Sequence, residues 1–162
     1  METGEATAEF PGRGAGPADR LDRSVKPSGK QVVDMADATR VWPALRYADA
    51  RAAIVFLVEA FGFEERAVYG EGDRVDHAEL AWPGGGGVML GSPREDSVLT
   101  DLPTGVGAVY LVTDDPDGLY LRAVDAGAAV VDGLRDEDYG SRGFTCRDPE
   151  GVYWSFGTYT GE

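Results

Sequence analysis

This chain has little of several things. One cysteine, Cys146, stands among 162 residues, so no disulfide closes within the chain and a reducing compartment fits. There is one histidine, His77, and there are two lysines, Lys26 and Lys30. No apolar run approaches the roughly 20 residues that a membrane-crossing helix needs. The start, METGEATAEF, has neither the basic nor the apolar region of a secretory signal, and a cytoplasmic protein is expected. Positive charge is scarce: 15 Lys and Arg face 29 Asp and Glu, a net −14. Nucleic acid and membranes are therefore not expected partners, because both are held by basic patches. An acidic surface suits a cationic ligand, and it also serves plain solubility.

What is there divides in two. Residues 1–38 are rich in Gly, Pro and charge and show no periodicity, the composition of a disordered tail. From 39 to 162 the pattern is that of one globular domain. Residues 41–162 hold nine arginines against 22 acids, so the acidity belongs to this part. VWPALRY alternates as a strand. ADARAAIVFLVEAFGF reads as one helix, with Asp49 as N-cap, Ile54, Leu57, Val58 and Phe61 as its apolar stripe, and Gly62 as its stop. Strand-like stretches follow around EERAVYG, VDHAELAW and GVMLG, the last two joined by PGGGG.

The same order then recurs. GAVYLVT reads as a strand, DDPDGLYLRAVDAGA as a helix capped by Asp115 and stopped by Gly127, and AAVVDGL, GFTCRD and VYWSFGTY as strands. Leu45 matches Leu111, Asp49 matches Asp115, Gly62 matches Gly127 and Met89 matches Ser155, at offsets of 66, 66, 65 and 66. The expectation is an α+β fold: two tandem β-α-β-β-β modules, at about 41–92 and 105–160.

These motifs resemble the vicinal oxygen chelate superfamily, which holds glyoxalase I, extradiol dioxygenases and the fosfomycin and bleomycin resistance proteins. The resemblance rests on LRYAD at a strand-to-helix start, HAEL followed by GVMLG, LVTDDPDGLYLRAVDAGA, and YGSRGFTCRDPEGVYWSFGTY. It covers residues 41–159. It implies that each module curls a mixed, largely antiparallel sheet into a half-barrel with a concave ligand site. It also implies a homodimer in which the partner completes each site.

In metal-using members, four inward positions on the first and last strands supply the ligands. The resemblance places them at Trp42, Met89, Ala108 and Ser155, none of which offers the imidazole or carboxylate that Zn, Fe, Mn or Ni wants. No metal or other cofactor is expected, and the chain is closest in kind to the metal-free bleomycin-resistance-like members. Side-chain alternation puts His77 and Glu79 on the concave face together. His77 there is a ligand contact, a structural side chain or a poor metal donor. Alternation also turns Trp42, Ala44, Arg46, Met89, Ala108, Tyr110, Val112, Thr145, Tyr153 and Ser155 toward the concavity. It leaves Leu45, Tyr47, Phe144, Cys146, Trp154 and Phe156 in the core. Such an aromatic wall suits a flat or bulky ligand, or else plugs a closed barrel. DGLRDEDYGSRGF, residues 132–144, reads as a loop over the second mouth. Either it is an ordinary solvated charge run, or Asp136, Glu137 and Asp138 draw a cation that Tyr139 covers; Arg142 orients a ligand carboxylate or pairs with one of these acids.

Two functions follow, beside a plainer third reading in which the domain is a structural or regulatory module with a vestigial concavity. One is a metal-free binding protein that sequesters a bulky cationic or aromatic antibiotic or a metabolite, with Trp42, Arg46, His77, Met89, Tyr110, Tyr139, Arg142, Tyr153 and Ser155 as contacts. The other is a lyase, isomerase or dioxygenase with His77 and Glu79 as candidate catalytic residues or an atypical metal site. The first predicts that natively purified protein, assayed by elemental mass spectrometry, carries well below one transition-metal ion per chain. Near-stoichiometric Zn, Fe, Mn or Ni would overturn the placement of the four positions.

Overall fold

The structure is a computed structural model that describes residues 41–162; the stretch 1–38 read as a tail lies outside the described residues. The first module runs β1 (Ala44–Arg46), α1 (Ala50–Phe56) continuing into a π turn (Leu57–Phe61), β2 (Glu64–Tyr69), β3 (His77–Ala81) and β4 (Gly87–Gly91). The second runs β5 (Ala108–Val112), α2 (Pro116–Asp125), β6 (Ala129–Asp136), β7 (Arg142–Arg147) and β8 (Tyr153–Gly157). The two sheets have the same order, β1-β4-β3-β2 and β5-β8-β7-β6. In each, the first strand is parallel to the last and the other pairs are antiparallel. The tandem α+β reading holds. The sheets are separate and open, so the closed, self-plugged barrel is set aside.

Local chemistry accounts for the element ends. Asp49 accepts from the Ala52 amide at 2.9 Å, and Asp115 accepts from the Gly118 amide at 2.9 Å, each satisfying one orphan donor of a first helical turn. Pro116 follows Asp115 at the position where a missing N–H costs nothing. The first helix closes at Gly62 with φ +85°, a left-handed backbone that glycine adopts without strain.

The structure corrects three expectations. The first strand is shorter than VWPALRY, because Pro43 has no N–H to donate; its carbonyl accepts from Met89 at 2.8 Å. The helix over ADARAAIVFLVEAFGF is not uniform, since its last turn widens into the π turn, where Leu57, Ala60 and Phe61 are all buried. Residues 132–136 are not loop but the second half of β6, which leaves only a short hairpin turn before β7.

Alternation is borne out in the core. Leu45, Tyr47, Ala78, Leu80, Val88, Leu90, Phe144, Cys146, Trp154 and Phe156 are buried. The modules pack back to back through rings. Phe61, from the first module, lies 4.8 Å from Phe156 and 5.5 Å from Trp154, while Trp82 lies 5.9 Å from Phe156. Both sheets therefore turn their helix-facing sides to one shared core and their other faces away from it.

One carboxylate ties this together. Asp148 Oδ1 accepts from the amides of Glu150, Gly151 and Val152 at 3.1, 2.9 and 3.1 Å. Its Oδ2 accepts from the Tyr47 hydroxyl at 2.6 Å and from Trp154 Nε1 at 3.0 Å. Burial, with the Asp148 charge second, pushes the Tyr47 hydroxyl far above the ordinary phenol range, so it stays a donor. Beside it, Glu150 accepts from the amides of Ala48 and Asp49 at 2.7 Å each. The β7–β8 hairpin of the second module thus clamps the β1–α1 corner of the first.

Two outcomes follow. Asp148→Ala strands the buried Tyr47 and Trp154 donors and opens the hairpin. It is expected to cost about 3 kcal/mol or more in urea unfolding, while Asp148→Asn, which keeps an acceptor, costs less. Burial pushes the Cys146 thiol up to about 12, so at pH 8 it is protonated and enclosed. It should ignore a disulfide reagent in the folded protein and react promptly in denaturant; rapid native labelling would contradict this packing.

Candidate functional site

Turning both helix sides inward leaves two concave faces outward. On the first sheet Met89 sits between its register partners Ala44 and Glu79. His77 Nε2 lies 3.0 Å from Glu79 Oε1, both side chains about 40% exposed (42 and 38%). Tyr69, the register partner of His77, stacks against the imidazole with centroids 6.4 Å apart and planes at 19°. Arg46 Nη2 donates to Ser97 Oγ at 3.1 Å. Its Nε is buried with no hydrogen-bond partner among the described residues. Trp42 precedes β1 and lies so close over Gly87 that a Cβ there would meet its ring at 2.7 Å. This face therefore brings Arg46, His77, Glu79 and Met89 together, with Trp42 at one margin.

The second concave face holds a cavity of about 220 Å³. Tyr110, Tyr139 and Ser155, all named from the sequence, line it together. Ser155 Oγ and Thr145 Oγ1 are 2.9 Å apart, and the Tyr110 hydroxyl donates to the Tyr159 carbonyl at 3.1 Å. The rings of Tyr139 and Tyr159 meet edge to face at 5.7 Å. Asp132, Arg135 and Glu137 complete the wall, with Arg135 bridging Asp132 at 2.9 Å and Glu137 at 2.8 Å. Those hydrogen bonds and charges, the Glu137 bond first, hold the Arg135 guanidinium above its usual range.

Two named residues stand apart from this cavity. Tyr153 lies further along β8, with the Arg147 guanidinium 5.0 Å over its ring. Arg142 is on the opposite face of β7, held by Asp117 at 2.8 Å and Asp136 at 3.2 Å. Of the two roles open to Arg142 in the sequence, the pairing with acids is the one realised. Its hydrogen bond holds the Asp117 carboxyl below the usual carboxylate range.

Sequence reasoning missed Asp132 and Arg135. The register of β6 shifts between Val130 and Asp132 and again between Asp132 and Arg135. Simple alternation therefore could not follow that strand. Tyr69 and Tyr159 were legible only as aromatics in strand-like text; their partners come from pairing.

A metal fits the donors poorly. Trp42, Met89, Ala108 and Ser155 provide no imidazole or carboxylate. No group of three or more His, Cys, Asp and Glu side chains among the described residues is placed to share an ion. Chemically, the first face offers an imidazole–carboxylate pair, and the second offers stacking surfaces, hydroxyls and two acids tied to one arginine. No helix among the described residues is long and apolar enough to cross a membrane.

Comparison with known proteins agrees with this architecture. The family model described as the Glyoxalase/Bleomycin resistance protein/Dioxygenase superfamily matches residues 39–156. An uncharacterized protein of Mycobacterium bovis is 36% identical over 122 residues, which cover 71% of this chain and 80% of that protein. Among solved structures, TioX from Micromonospora sp. ML1 superposes with a TM-score of 0.65 at 30% identity, covering 74% of this chain and 98% of that one. TnmS3 from Streptomyces sp. CB03234, described as an antibiotic binding protein, superposes with a TM-score of 0.57 at 25% identity, covering 75% of this chain and 96% of that one. Sequence motifs, duplicated topology and these matches converge: the chain belongs to the Glyoxalase/Bleomycin resistance protein/Dioxygenase superfamily.

Proposed function

We propose that this protein is a metal-independent binder of a bulky aromatic or cationic small molecule, an antibiotic or a metabolite, and that it works without catalysis. The observation that carries the reading is the second concave cavity, where Tyr110 and Tyr139 offer rings, Ser155 and Thr145 offer hydroxyls and Asp132 and Glu137 offer carboxylates. Ring faces and shape hold a flat ligand, and a few polar groups set its orientation. A ligand cation gains from the rings and the acids. Because Arg135 already pairs with both acids, stacking contributes more than ion pairing. The description of TnmS3 as an antibiotic binding protein supports the same class of ligand.

The protein acts as a cytoplasmic homodimer in this reading. Tyr69, Tyr110, Val112 and Tyr153 are exposed on the two outward faces. Covering them with a second copy would deepen each shallow concavity into an enclosed site.

A second reading keeps one observation of its own. The His77–Glu79 pair, 3.0 Å apart on the first concave face, has the make-up of a general acid–base pair. It would make the protein a lyase, isomerase or dioxygenase of the same superfamily.

Titration with bleomycin, followed by tryptophan fluorescence, separates the readings. Saturable binding is expected. Tyr110→Ala should weaken it about tenfold, the loss of one good ring contact, whereas His77→Ala should change it by less than about threefold. If no compound in a broad thermal-shift screen stabilises the protein, the binding reading fails. If a substrate is turned over and His77→Ala abolishes turnover while sparing affinity, the enzyme reading replaces it.

A further inference from the structure

The internal duplication exposes a site on neither concave face. A small pocket of about 170 Å³ lies where the β7–β8 hairpin meets the start of α1. A much larger cavity, about 720 Å³, lies where the β3–β4 hairpin meets the start of α2. The two correspond residue by residue at the offset of 66. On the hairpins, Asp148, Pro149 and Glu150 match Trp82, Pro83 and Gly84. On the corners, Tyr47, Asp49, Ala52 and Ala53 match Thr113, Asp115, Gly118 and Leu119. Even the hairpin bonds repeat: Asp148 N donates to Val152 O as Trp82 N donates to Gly86 O, at 3.1 and 3.0 Å.

What differs is the filling. In the small pocket the Glu150 carboxylate is the ligand of the corner, taking the Ala48 and Asp49 amides at 2.7 Å each. In the large cavity Gly84 stands in that place, and no side chain of Pro83, Gly84, Gly85 or Gly86 can reach the matching Asp114 amide. Thr113 replaces Tyr47; its Oγ1 accepts from the Asp115 amide at 3.2 Å and keeps a hydroxyl hydrogen to donate. Arg122 replaces Phe56 and brings a guanidinium to the wall, fixed on the carbonyls of Glu59 and Val58 at 2.6 and 2.8 Å. Phe61, Trp82 and Leu119 make an apolar floor, and Trp82 Nε1 is anchored on the Val112 carbonyl at 2.8 Å.

We propose that this cavity is a second binding site, for a small flat molecule bearing a carboxylate. The carboxylate takes the role that Glu150 plays in the other copy, accepting from the Asp114 amide and the Thr113 hydroxyl. The apolar body lies on Trp82 and Leu119, and Arg122 offsets the negative charge. Acidic neighbours do not forbid this, because Glu150 itself is held beside Asp49 and Asp148. The volume is that of ordinary small-molecule sites.

The probe is naphthalene-2-carboxylate, titrated into the full chain and followed by amide and indole NMR. Saturable shifts are expected at Trp82 Nε1–H, Asp114 and Gly118, with a dissociation constant on the order of 1 mM or below for a ligand of this size. The corresponding carboxamide should bind about tenfold more weakly, as should Thr113→Val toward the acid, while Thr113→Ser retains affinity. Four outcomes would each overturn the proposal: no saturation, shifts clustered at Tyr110 and Ser155 instead, equal affinity for the carboxamide, or tighter binding of naphthylmethylammonium. Bleomycin binding on the concave face is scored separately, so either site can fail alone.

Discussion

Five donors on one buried carboxylate hold this molecule in register. Asp148 closes its own hairpin, anchors Trp154 in the core and reaches across to Tyr47 of the other module. A buried carboxylate is costly unless its lone pairs are used, and here the donors come from both modules, about 100 residues apart in sequence. The contact therefore sets their relative placement. The opposite corner has a looser version of the same device, with Trp82 on the Val112 carbonyl and Arg122 on the end of the first helix. Each module's hairpin grips the other's strand-to-helix corner, and the ring core fills the space between.

Once the helix sides are spent on that core, the outward faces and the hairpin corners are what remain open. Duplication has let the faces diverge. The first carries an imidazole beside a carboxylate and an arginine whose buried Nε has no partner among the described residues. The second carries tyrosines, hydroxyls and acids. The hairpin corners have diverged too: one is closed by Glu150, and the other is left open by Gly84. Where a Cβ at Gly157 would meet the Tyr110 hydroxyl at 2.6 Å, the absence of a side chain is what lets that tyrosine lie against β8.

The fold was legible because its signals are periodic. Two-residue alternation sorted Leu45, Cys146 and Phe156 to the core without knowledge of their partners, and Asp49 and Asp115 marked helix starts by chemistry alone. The π turn was not legible, because Leu57, Val58 and Phe61 read as one apolar stripe of an ordinary helix and nothing in the local sequence marks the wider turn. Asp132 and Arg135 were hidden by register shifts in β6. The large corner cavity was hidden for a different reason. The offset that defines it was visible, but its meaning depends on which hairpin meets which helix, a fact of tertiary structure.

The net acidity acts less on affinity than on approach. Five of the nine arginines in residues 41–162 are paired with carboxylates: Arg66, Arg74, Arg94, Arg135 and Arg142. Most of the available positive charge is thus spent locally, and the long-range field stays negative. Such a field draws cations toward the surface and is screened within about 8 Å at physiological salt. Inside the second cavity the balance is different, because Arg135 already sits between Asp132 and Glu137. On the proposed reading, a cationic ligand is steered by the whole body but meets only part of that charge at the site. On that reading retention falls to Tyr110 and Tyr139, whose stacking salt does not screen. If that reading holds, association depends on ionic strength much more than dissociation does, because charge collects the ligand and shape retains it.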